Sequence, residues 1–149
     1  MVESGGRGTQ MFFGGVYQHK MDAKKRLFIP AKYRSALSDG FVVCKAPDRC
    51  LYIYAKEDWE PVAKQMLDQP GSKEFRRLKR EFFKNTDVVE MDSQGRFTVK
   101  KELLDLAGLK QDCILIGAGN KIEVWDAEYY MQDLEETKTA DDLDVEIKY

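Results

Sequence analysis

The feature that most limits the folding of this chain is an internal repeat. Residues 17–37, YQHKMDAKKRLFIPAKYRSAL, and 87–107, DVVEMDSQGRFTVKKELLDLA, align at a constant offset of 70 residues. Met21-Asp22 matches Met91-Asp92, Arg26 matches Arg96, and Leu27 and Ile29 match Phe97 and Val99. With one inserted residue the match continues: FVVCKA at 41–46 answers CILIG at 113–117, and LYIY at 51–54 answers IEVW at 122–125. Trp59 answers Tyr130. Each unit reads as strand, turn, strand, short helix, two strands and a helix. Self-similarity of this kind sets the architecture. The expectation is an α+β, β-rich fold with short helices and a pseudo-twofold relation between its halves.

Local chemistry fills in the elements. Asp22-Ala-Lys-Lys25 and Asp92-Ser-Gln-Gly95 are four-residue links between β-prone runs. An Asp at the first turn position accepts from backbone N–H groups two residues on, and Gly95 supplies positive φ. Lys25 stands where Gly95 stands, so it is strained there or the first turn is of another type. Pro30 suits the first turn of a helix over PAKYRSAL, and Gly40 and Gly108 suit helix stops. Gly117-Ala-Gly-Asn120 reads as a hairpin loop. Residues 57–69 predict a helix that starts late or bends at Pro61. Residues 72–84 predict another, with Phe75, Leu78 and Phe82 inward and Lys73, Arg77, Arg80 and Lys84 as a basic stripe opposite. A helix over 127–136 closes the second unit. The expected organisation is a disordered leader at 1–10 and a first repeat at 11–71. A basic linking helix and second repeat follow at 72–136, then an acidic flexible tail at 137–149.

Charge is unevenly distributed. The net value is −2, but residues 126–149 carry nine acids against two lysines, which leaves +5 on residues 1–125. Residues 17–34 hold six bases against Asp22, and residues 72–84 hold six against Glu74 and Glu81. Such asymmetry points to an anionic partner or to solvated faces. No apolar run approaches the ~18 residues of a membrane span, and the polar, Gly-rich start has no signal-peptide core. The three cysteines, Cys44, Cys50 and Cys113, form no C-x-x-C pair, and His19 is the only histidine. No metal site is expected. Cys44 and Cys113 read as small buried hydrophobes in a reduced, cytoplasmic protein.

Nothing here assembles a catalytic site. His19 lies in a basic, strand-like run and reads as a surface or hydrogen-bonding residue. Gly117-Ala-Gly119 lacks the rest of a dinucleotide fingerprint and lies between strands. Asp22 and Asp92 each precede an arginine by four residues, so each is expected to pair with it or cap its own turn. No catalytic residue, cofactor, metal or small-molecule substrate is expected.

MFFGGVYQHKMDAKKRLFIPAKYR, FRRLKREFFKN, MDSQGRFTV and ILIGAGNKIEVW together resemble the MraZ family over roughly residues 11–136. The resemblance implies a tandem duplicated swapped-hairpin barrel of the AbrB and SpoVT type. It implies a homo-oligomeric ring and a transcription regulator of its own operon, bound to tandem repeats upstream of the cell-division and cell-wall gene cluster. It places the protein in the cytoplasm, on the nucleoid. The family's DNA-contact motif carries over as Asp22, Lys24, Lys25 and Arg26, and again as Asp92, Gln94, Gly95 and Arg96. Lys25 departs from the glycine common there, and Lys100 from the proline seen at Pro30.

The expected partner is double-stranded DNA. The D-x-x-x-R turns are expected to project as a β-ribbon toward the major groove. Arg26 and Arg96 are candidates for guanine edges, and Lys20, Lys24 and Lys25 for phosphates. Asp22, Asp92 and Gly95 structure the turns, and the more basic first turn is expected to dominate. The plainer alternative for each arginine is a strand-edge salt bridge. The basic helix is expected at a subunit interface or in solvent. Rival functions are an antitoxin whose C-terminal segment wraps a toxin, and a structural ring protein without nucleic acid.

Overall fold

The computed structural model describes residues 12–136 and 143–149. The expected leader and residues 137–142 of the expected tail lie outside the described residues; residues 143–149 are exposed. The first unit contains β1 (Val16–Lys20), β2 (Arg26–Phe28), two 3-10 turns (Ala31–Tyr33 and Ser35–Leu37), β3 (Phe41–Lys45), β4 (Leu51–Ala55) and α1 (Lys56–Leu67). Helix α2 (Lys73–Lys84) follows. The second unit contains β5 (Thr86–Val89), β6 (Arg96–Thr98), α3 (Lys101–Ala107), β7 (Asp112–Gly117), β8 (Ile122–Asp126) and α4 (Ala127–Glu136). This is the expected α+β, sheet-rich body, consistent with a tandem swapped-hairpin domain. No helix among the described residues is long and apolar enough to cross a membrane.

The two units are interleaved. Six strands form one sheet in the order β1-β7-β8-β4-β3-β5, and β2 and β6 form a separate two-stranded ribbon. Each unit keeps its own hairpin, β3–β4 or β7–β8. Its first strand is given to the other unit: β1 pairs with β7, and β5 with β3. The β4–β8 pair joins the halves at the sheet's centre. The order therefore reads the same from either end once each strand is replaced by its repeat partner. Neither unit can complete its sheet alone.

Strand patterning explains the core. Successive strand residues face opposite sides of a sheet. On one side Phe41, Val43, Leu51, Ile53, Leu115 and Val124 meet Leu27, Ile29, Phe97 and Val99 from the ribbon in one buried cluster. Each such side chain removed from water contributes roughly 1.5–3 kcal/mol before entropy is counted. On the other side, Val42, Cys44 and Tyr54 pack against Trp59 and Val62 of α1, and Trp125 against Tyr129 and Tyr130 of α4. All three cysteines are free and buried.

Two local expectations are corrected, and a third, at Pro61, loses one of its two alternatives, the late start. The PAKYRSAL segment is two 3-10 turns, closed by bonds such as Tyr33 N–H to Pro30 O (2.8 Å). There the buried Tyr33 accepts from Gly14 N–H (2.8 Å) and meets Phe13 edge-on. Tertiary anchoring accompanies the tighter winding. Helix α1 begins at Lys56, ahead of Pro61, which lies inside it. Pro61 forgoes one helical hydrogen bond, while Trp59 is held between Tyr54 and Phe82. Helix α2 packs only part of its apolar row. Phe82 stacks on Trp59 at 5.5 Å and Phe75 is half-buried, but Leu78 stays exposed. Gly108 caps α3 with φ 61° as expected, whereas the second 3-10 turn is capped by Ser38 and Gly40 comes two residues later with φ 103°.

Candidate nucleic-acid interface

The two D-x-x-x-R segments build the same cage. Asp22 Oδ1 accepts from the N–H groups of Lys24 and Arg26, both at 2.9 Å, and Oδ2 accepts from Arg26 Nε at 2.7 Å. Asp92 Oδ1 accepts from Gln94 and Arg96 N–H, both at 2.9 Å, and Oδ2 from Arg96 Nε at 2.8 Å. Backbone bonds close each turn: Lys25 N–H to Asp22 O and Gly95 N–H to Asp92 O, both 3.0 Å. Each Asp thus both structures its turn and grips its arginine. The bond from Arg26 N–H is the chief reason Asp22 sits below the usual carboxylate range, and that from Arg96 N–H does the same for Asp92. A charged acceptor strengthens each bond.

The strands flanking each turn do not pair with one another: β1 pairs with β7 and β5 with β3, while β2 and β6 pair together. The ribbon is instead built between units. Arg26 lies opposite Thr98, Leu27 opposite Phe97, and Phe28 opposite Arg96. Leu27 and Phe97 face the core at 0% and 2% exposure. By alternation, Arg26, Phe28, Arg96 and Thr98 share the outer face. The arginine side chains are 28% and 19% exposed, at the surface and not in the core. With Nε held by Asp, the Nη1 and Nη2 end of each guanidinium has no hydrogen-bond partner among the described residues.

The turns are also tied crosswise. Ile29 N–H bonds Gly95 O (2.8 Å) and Val99 N–H bonds Lys25 O (2.9 Å), a pair related by the repeat offset. Lys25 has φ 63° and Gly95 φ 83°, so both turns have the same left-handed backbone. The first of the two readings of Lys25 is therefore the observed one. A lysine in that region costs about 1–2 kcal/mol.

Of the basic candidates, Lys24 and Lys25 are exposed and form no ion pair among the described residues. Lys20 is exposed and lies 3.9 Å from Asp112. Gln94 is exposed at the tip of the second turn. Sequence reading did not single out Phe28 or Arg34. The Arg34 guanidinium lies against Gly95, where a Cβ would meet it, and its Nε donates to Ile29 O at 2.9 Å. It approaches the Phe28 ring at 5.9 Å, and Arg96 approaches the same ring at 6.0 Å. Only the β2–β6 register brings these residues together, and no local motif carries that register.

Comparison with known proteins also finds a repeated unit. Two copies of one family profile, described as "MraZ protein, putative antitoxin-like", match residues 12–81 and 82–145. The chain is 37% identical over 132 residues to the transcriptional regulator MraZ of Lachnoclostridium phytofermentans, covering 89% of this chain and 90% of that one. It is 39% identical over 125 residues to the transcriptional regulator MraZ of Saccharopolyspora erythraea, covering 83% and 87%. With its duplicated sequence, interleaved units and paired D-x-x-x-R cages, this chain belongs to the MraZ family.

Proposed function

We propose that this chain is a transcriptional regulator that binds double-stranded DNA sequence-specifically through the outer face of the β2–β6 ribbon. The observation that carries the reading is the duplicated cage, with each guanidinium gripped at Nε and open at Nη. An arginine presented end-on can bond guanine O6 and N7 together, and a two-stranded ribbon fits the major groove. Lys20, Lys24 and Lys25 contact phosphates and set register, and Gln94 adds a polar contact at the second turn. The names of the relatives support regulation of transcription.

The family resemblance supplies the finer part. The target is tandem repeats before the cell-division and cell-wall gene cluster, and the working form is a cytoplasmic, nucleoid-associated homo-oligomeric ring without catalytic activity. Repeated boxes let several subunits engage one DNA, raising the effective concentration of each later contact. Footprinting on the DNA upstream of the protein's own gene tests this: protection of spaced repeats is expected, and uniform or absent protection overturns it. The family description favours one second reading, an antitoxin-like module. A stoichiometric small basic partner recovered from the native host supports that reading.

A further inference from the structure

The two turns differ in charge. The first carries Lys24, Lys25 and Arg26; the second carries Ser93, Gln94 and Gly95 before Arg96. From its own residues the second turn offers the duplex one cation, Arg96, where the first offers three. The asymmetry continues one layer back. The repeat partner of Arg34 is Leu104, which is buried in the core. Arg34 instead leaves the first unit and crosses to the second unit's turn.

We propose that Arg34 is a DNA phosphate-contacting residue of the second turn, supplied by the first unit across the ribbon. The proposal rests on the DNA reading of the ribbon. Its support is geometric. Arg34 fills the space beside Gly95 that any side chain would claim, so the glycine and the arginine form one arrangement. Its Nε is held by the Ile29 carbonyl, much as Arg26 and Arg96 are held at Nε by their aspartates. Its Nη end has no hydrogen-bond partner among the described residues. Phe28, on the outer face, lies about equally far from the Arg34 and Arg96 guanidinium carbons, at 5.9 and 6.0 Å. That separation is at the outer limit of cation–π attraction. The ring thus neighbours both guanidinium groups, one from each unit. His19 registers the same charge, since Arg34 adds to the burial that lowers its pKa.

A phosphate contact and a structural brace predict different outcomes. Wild-type protein, Arg34→Gln and Arg26→Ala are titrated by fluorescence anisotropy across a salt series. One duplex comes from upstream of the protein's own gene, and a scrambled duplex of equal length is the control. For Arg34→Gln the expected result is weaker binding to both duplexes by a similar factor. The log–log salt slope should become shallower by about 0.9 per bound subunit, the signature of one lost phosphate contact. Arg26→Ala should lose mainly the preference between duplexes. Should the glutamine variant unfold, Arg34→Met keeps the aliphatic stem over Gly95 and gives the same readout. Unchanged affinity and slope in a folded Arg34 variant, beside a defective Arg26→Ala, overturn the role of Arg34 and leave the ribbon reading intact. Wild-type protein that binds neither duplex overturns the ribbon reading itself.

Discussion

Lys25 and Gly95 hold the same place in two turns of the same left-handed backbone, and only the glycine has an arginine lying across it. The lysine bears the conformational cost; the glycine avoids both that cost and a collision. Lys25→Gly should therefore raise unfolding stability by about 1 kcal/mol, once glycine's greater freedom in the unfolded chain is subtracted. The same change should weaken DNA binding by removing a cation. Gly95→Ala should lower stability by more than about 1 kcal/mol, because strain and the Arg34 contact act together. Urea unfolding of both variants checks the pair of signs.

Asp22→Asn separates the two jobs of the aspartate. Its amide oxygen can still accept from Lys24 and Arg26 N–H, so the turn should form. The charged grip on Arg26 Nε is lost, and with it the aim of the guanidinium. The expected outcome is retained affinity for scrambled DNA, where one negative charge fewer faces the phosphates, and a reduced preference for the native sequence. The ratio of the two dissociation constants is the measurement.

The single histidine allows a direct proton readout. Burial, then the Arg34 charge, lowers the His19 pKa below its ordinary 6.5. The folded state thus favours the neutral ring. Its contribution to stability is constant above pH 6.5 and is lost as pH falls below that value through the folded midpoint. NMR of the imidazole signal should show a midpoint below 6.5. In Arg34→Gln it should move upward yet stay below 6.5, since burial is the larger cause.

The three thiols should be inert in the native protein. Burial pushes Cys44 and Cys113 up to about 12, and Cys50 higher still. Thiolate is the reactive form. A disulfide-exchange reagent should therefore label none of them at neutral pH without denaturant and all three on unfolding. Rapid labelling of the native chain would contradict the packing described here.

Much of the fold was legible because strand order was written twice. The repeat offset of 70 located β2 and β6 by matching Leu27 and Ile29 to Phe97 and Val99. The two Asp–Arg pairs were legible because both partners lie within one turn. Pairing between units was not. Whether β1 joins β2 or β7 depends on contacts about a hundred residues apart, which no local pattern encodes. For the same reason Arg34 read as one base among six, although it ends beside Gly95. Whether α1 starts late or continues through Pro61 was left open by the local signal; the helix runs through it from Lys56, with Trp59 packed between Tyr54 and Phe82.

The central claim is that the two caged arginines read base sequence. The most direct measurement is the affinity of Arg26→Ala, Arg96→Ala and the double variant for DNA from upstream of the protein's own gene, with folding monitored by circular dichroism. A loss of about 1–3 kcal/mol for each base contact removed is predicted, with native spectra and near-unchanged binding to scrambled duplex. Wild-type affinity in a folded double variant would contradict the account.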